Sequence, residues 1–124
     1  MKNMILAVLA GSLFCNIAVA AKMEGKTFIY QKPNGEIRLS AVPGNGQQAK
    51  FSINTNVDMH ACEVEGIANA IADTPQHTTL QWRDKEQCLI TLIWGQNRLN
   101  VKATDECNSY CGMNTENSLS GVYK

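Results

Sequence analysis

A chain of 124 residues with eleven basic and eleven acidic side chains carries no net charge near neutrality. That balance excludes the basic stripe needed to hold nucleic acid or anionic lipid, and it excludes an acidic solvating tail. What remains is a protein partner or a neutral small ligand, and a length suited to one small domain.

The chain opens with a weakly positive Met1-Lys2-Asn3, followed by a stretch to Ile17 that is apolar except for Gly11, Ser12 and Asn16. Ala18-Val19-Ala20 then meets the small-x-small rule. The pattern predicts a secretory signal peptide over 1–20, cleaved before Ala21 and too short to span a membrane. Cys15 follows the bulky Phe14, a poor context for lipid attachment, and is expected to leave with the signal. The product is a periplasmic or secreted domain, 21–124, with ten basic and eleven acidic residues. A domain of that size buries only about two thirds of its unfolded surface, so cross-links help it.

Lys26 to Ser40 reads as a β-hairpin: Phe28, Tyr30, Ile37 and Leu39 alternate around Lys32-Pro33-Asn34-Gly35, where Asn-Gly tolerates the positive φ of a tight turn. Val42 to Lys50, with Pro43, Gly44 and Gly46, reads as a loop. Phe51, Ile53, Thr55 and Val57 then alternate with polar residues, as a strand with one wet face does. Cys62, Val64 and Gly66 alternate with Glu63 and Glu65 in a further strand. Ile67 to Asp73 fits either a helical turn or an extended continuation, the latter favoured by its flanks. Thr74-Pro75 ends that segment.

Thr79 to Arg83 is a short strand, and Asp84 to Gln87 a charged connection. Cys88 to Trp94 is apolar almost throughout, the pattern of a central strand covered on both faces. Gly95-Gln96-Asn97 turns the chain into Arg98 to Ala103, a half-buried strand. After the cysteine knuckle Cys107-Asn-Ser-Tyr-Cys111-Gly112, Ser118 to Tyr123 closes the set, and the polar Met113 to Asn117 between them is the stretch expected to move most. No long segment has helical periodicity. The fold class is therefore all-β, a small antiparallel sandwich or barrel of seven to eight strands.

Four cysteines remain after processing: Cys62, Cys88, Cys107 and Cys111. An even count in a small exported domain predicts two disulfides. Cys62–Cys88 with Cys107–Cys111 is the preferred pairing, since the first two lie in predicted strands and the second two flank a turn-forming Asn-Ser-Tyr. Loop entropy alone gives about 3.5 kcal/mol for the longer link and about 2 for the shorter.

Little in the chain is equipped for catalysis, and it reads as a non-enzyme. His60 and His77 stand in no nucleophile or metal motif. A zinc site drawn from His60, Cys62, Cys107 and Cys111 lacks paired-ligand spacing, so no metal or cofactor is expected. The Cys107–Cys111 spacing is one residue longer than a redox Cys-x-x-Cys. Glu63/Glu65 and Asp105/Glu106 read as solvated surface.

Four elements carry a family likeness: Cys62-Glu-Val-Glu-Gly66, Cys88-Leu-Ile-Thr-Leu, Asp105-Glu-Cys-Asn-Ser-Tyr-Cys-Gly112 and Ser118-Leu-Ser-Gly-Val-Tyr123. In their order the chain resembles small bacterial periplasmic lysozyme inhibitors and the immunity proteins that neutralise peptidoglycan-cutting toxins. The resemblance implies a protein partner, a peptidoglycan hydrolase, blocked by a rigid loop inserted into its cleft. Some of those families carry a Ser-Gly-x-x-Tyr loop; Ser120-Gly121-Val122-Tyr123 here is one residue shorter. The alternative for this segment is structural, with Gly121 allowing close backbone packing and Tyr123 filling the core. The candidate target-binding residues are Asn108, Ser109 and Tyr110, Arg98 beside the Gly95–Asn97 turn, and Ser118, Ser120 and Tyr123. The rival reading is a non-inhibitory structural or binding module of the cell envelope.

Overall fold

A computed structural model describes residues 25–112 and 117–124. The expected signal peptide with Cys15 and its cleavage site, and residues 113–116 of the polar stretch, lie outside the described residues.

Eight strands follow one another as β1 (Thr27–Lys32), β2 (Gly35–Val42), β3 (Asn45–Val57), β4 (His60–Asp73), β5 (Thr78–Arg83), β6 (Leu89–Gly95), β7 (Arg98–Ala103) and β8 (Gly121–Tyr123). Each pairs antiparallel with the next, so the sheet order is the chain order. Gln31 and Lys124 exchange both backbone hydrogen bonds, at 2.8 and 2.7 Å, and so join β1 to the end of β8. The sheet is thereby an up-and-down barrel, nearly closed. At eight strands the interior is just wide enough for side chains to fill it.

Alternation does the filling. Ile37 and Leu39 of β2, Phe51 and Ile53 of β3, Leu80 of β5, Ile90 and Leu92 of β6, and Leu99 and Val101 of β7 all point inward and are buried. Their neighbours in sequence face out. β6 differs from its expectation in this respect: Leu89, Thr91 and Ile93 are half-exposed on the outer surface, and Cys88 lies just before the strand. In a barrel with no second layer, a strand has only one dry face.

Two other expectations change. The predicted loop over Val42–Lys50 is only the turn at Pro43-Gly44, with Gly44 at φ +79°. β3 starts at Asn45 because Ala49 continues its inward series and is fully buried. Neither Asn34 nor Gly35 has positive φ. Gly35 is required for space: a Cβ there would lie 2.7 Å from Thr55 Cγ2.

Strand β4 is extended throughout, the favoured reading of Ile67–Asp73. It pairs with β3 over His60–Asn69 but with β5 only from Asn69 on, with a register shift between Ala70 and Ala72. The first half of β4 therefore parts from β5. Into that gap comes the segment after β7, which positions the candidate site.

Candidate functional site at the stapled end of the barrel

The β7–β8 connection begins with a 3-10 helix, Asp105–Tyr110. Thr104 docks it: its backbone N–H donates to Leu89 O at 3.1 Å, and its hydroxyl accepts from Leu89 N at 3.0 Å. Beyond the helix, Cys111 forms a bridge opposite Cys62, and Gly112 N donates to Ala61 O at 2.9 Å. The chain thus serves as a short surrogate strand along the free edge of β4.

Both disulfides are here, and neither has the preferred pairing. Cys62 bonds Cys111 and Cys88 bonds Cys107. Two physical reasons decide this. β5 stands between β4 and β6 in the sheet order, and two strand spacings, about 9.5 Å, exceed the Cα separation a disulfide can bridge. Cys107 lies inside the 3-10 helix, whereas Cys111 follows it in extended backbone and runs alongside Cys62, so the two side chains leave in different directions. Cys107 therefore reaches the start of β6 while Cys111 reaches β4. The helix is not clipped to itself; it is fastened at both ends to different parts of the barrel.

An aromatic series supports it from below. Phe51 meets Trp82 edge-on at 5.5 Å between ring centroids, and Trp82 meets Tyr110 at 6.1 Å. The Trp82 ring lies against Gly66, where a Cβ would come within 2.4 Å of Nε1. Tyr110 donates its hydroxyl to Asp84 Oδ2 at 2.6 Å. That bond holds the Asp84 carboxyl below the usual carboxylate value, and it pushes the Tyr110 phenol up to about 12. Asp84 also accepts from the Glu86 and Cys88 backbone N–H groups, ordering the β5–β6 turn.

The other expected contact residues divide sharply. Asn108 is half-buried, its Oδ1 accepting from Asn117 N at 3.1 Å. Ser109 is exposed and donates to Glu106 O. Ser118 Oγ lies 2.6 Å from Thr55 Oγ1 and 3.2 Å from Cys62 Sγ. Ser120 Oγ accepts from Ala103 N at 2.9 Å. Tyr123 is fully buried and donates to Leu119 O at 2.6 Å. Gly121 has φ +143°. Lys32, half-buried with its pKa lowered by burial, donates to the carbonyls of Ser118 and Ser120. The Ser118–Tyr123 segment thus packs beneath the staples, its serines tied to Thr55, Cys62 and Ala103 and its tyrosine in the core. Arg98 is exposed but stands at the opposite end.

Sequence reasoning missed Met59. It sits with Asp58 in the two-residue β3–β4 turn, just before His60, whose Cβ lies near Gly112; both turn residues have positive φ (76° and 49°), and Met59 is 100% exposed. Such turns favour Asn-Gly; no glycine or asparagine here marked the position. With Asp105, Glu106, Ser109 and His60, also exposed, it forms the outer surface of the stapled end.

Glu63 and Glu65 project from the outer face of β4, in a shallow hollow with Ser52, Asn54 and Tyr110. Among the described residues no group of three or more His, Cys, Asp or Glu is placed to hold a metal, and no helix is long and apolar enough to cross a membrane. With Cys62, Cys88, Cys107 and Cys111 oxidised, the zinc set considered from sequence has no thiolates to offer. Two disulfides fit an oxidising compartment outside the cytoplasm. No protein-family model, curated protein or solved structure matches this chain.

Proposed function

We propose that this protein is an exported, non-catalytic binding protein that presents the stapled end of its barrel to a peptidoglycan hydrolase and blocks its cleft. The observation that supports this reading is the 3-10 helix Asp105–Tyr110, fixed to β4 and to the start of β6 by separate disulfides. A segment already immobilised loses little conformational entropy on binding, so more of its contact energy is realised as affinity. Ser109, whose proton goes to Glu106 O, supplies an exposed hydroxyl oxygen that accepts from a donor in the cleft, and Met59 supplies an adaptable apolar tip. Asp58, Asp105 and Glu106 suit a target with a basic rim. Barrel-filling side chains also favour recognition at the surface over carriage of a ligand inside.

The test is to mix the oxidised protein with a panel of lysozymes and amidases, following complex formation and cell-wall lysis. One member is expected to be bound and inhibited, and Ser109→Arg or Met59→Glu is expected to weaken that inhibition at least tenfold. No complex and no inhibition across the panel rules the reading out.

A further inference from the structure

At the end of the barrel away from the staples, Phe28 and Tyr30 of β1 face Trp94 of β6 across an open pocket. Phe28 packs edge-on to Trp94 at 5.1 Å, and Trp94 Nε1 donates to the Tyr30 hydroxyl at 2.8 Å. Trp94, only 5% exposed, is the floor; Phe28 and Tyr30, half-exposed, are the wall. The rim comes from two turns, with Gln76 from the β4–β5 connection and Gln96 and Asn97 from the β6–β7 turn, all exposed. The Tyr30 hydroxyl has accepted one bond, and its own proton has no acceptor among the described residues, so it remains a donor at the wall.

Among the described residues, no ionisable side chain other than the Tyr30 phenol lines this pocket. Arg98 and His77 line an adjoining hollow on the outer face of β6 and β7, which shares Gln76, Gly95 and Gln96 with this pocket. Between the aromatic wall and floor themselves an anion meets no cation, and a cation no carboxylate. A purely apolar ligand would cover three amides that carry both donors and acceptors and leave them unpaired, which is costly. The ligand that satisfies both parts is neutral, with flat C–H faces for the rings and hydroxyl or amide groups around its edge.

We propose that this mouth binds a neutral saccharide, with one ring over the Phe28–Trp94 edge and its polar groups on Tyr30, Gln76, Gln96 and Asn97. The site is separate from the stapled end and does not depend on the function proposed there. In the full oxidised chain, chitotriose and cellotriose are titrated by amide and indole NMR, beside a trigalacturonate and a neutral aliphatic alcohol. At least one neutral sugar is expected to give saturable shifts at the Trp94 indole N–H and the three rim amides, with the anion and the alcohol giving none there. Gln76→Ala and Gln96→Ala, both at exposed positions, are each expected to weaken binding about three- to tenfold, the effect of one lost hydrogen bond. Gln96→Ala leaves hydrolase binding unchanged. Absence of saturable shifts with either sugar, an equal response to the anion or alcohol, or wild-type affinity in both glutamine variants overturns the proposal.

Discussion

Replacing Cys62 and Cys111 together by alanine removes the staple between β4 and the 3-10 helix and leaves Cys88–Cys107 intact. The two cysteines are 49 apart in sequence, so the link restricts the unfolded chain by about 4 kcal/mol on the loop-entropy model. The inner link, with a separation of 19, lies wholly within that loop and is worth about 3 kcal/mol. Nesting shortens the outer loop and lowers its contribution by only a few tenths of a kcal/mol. Because a small domain is stable by about 5–15 kcal/mol in all, either loss is large. For the outer pair, Tm is expected to fall by roughly 15 °C or more. Urea unfolding of both double variants, followed by tryptophan fluorescence, gives the comparison. A larger loss for Cys88/Cys107 than for Cys62/Cys111, or a loss below about 1 kcal/mol for the outer pair, refutes the reasoning. Connectivity is checked without unfolding. Trypsin leaves Cys62 in 51–83, Cys88 in 86–98 and Cys107 with Cys111 in 103–124. The observed pairing joins all three peptides, and cleavage after Tyr110 then separates the two links; a 103–124 peptide free of the others contradicts it.

Gly66→Ala forces a methyl into the Trp82 indole and is expected to cost about 1–3 kcal/mol, with a change in tryptophan emission; unchanged stability means the ring does not lie there. Tyr110→Phe removes the donor that depresses the Asp84 pKa. In the wild type this stabilisation is present above the ordinary value of 3.8 and is lost as pH falls through the lower folded value, so the variant's acid-unfolding midpoint is expected to move to higher pH. On the alkaline side, the Tyr110 contribution is complete below 10 and lost as pH rises through about 12, a transition the variant should lack. A phenol that titrates near 10 in the wild type contradicts the contact. Asp58→Asn with Met59→Gly places the favoured residues at two positive-φ positions and is expected to raise stability by about 1 kcal/mol. The same change should weaken hydrolase binding; a destabilised hairpin or undiminished binding speaks against the role given to Met59.

Much of the barrel is legible in the sequence because each strand has one wet face, so Phe51-x-Ile53-x-Thr55 and Leu99-x-Val101 announce their register directly. The start of β3 was not, since Gln47, Gln48 and Lys50 surround the single inward Ala49 with polar residues. Disulfide pairing failed for a topological reason. Spacing along the chain says nothing of which strands are neighbours, and Cys107 and Cys111 diverge once the Asn-Ser-Tyr segment winds into a 3-10 helix. In the terminal motif, the structural alternative describes Tyr123 as it is found, in the core, while at Gly121 the need for glycine comes from φ +143° and not from close backbone packing, since the nearest atoms are those of the Lys32 side chain. The aromatic mouth was invisible because Phe28 and Trp94, far apart in sequence, meet only across the closed sheet. Met59 had no composition signal at all.

The most direct test of the stapled end as a binding surface is a hydrogen-exchange footprint of the oxidised protein with and without the hydrolase it inhibits. The expected result is protection confined to 105–112 and the 57–60 hairpin tip, abolished when the disulfides are reduced. Protection centred instead on the Phe28–Trp94 mouth or the outer face of β6 and β7, or a complex that survives reduction with its footprint unchanged, contradicts it.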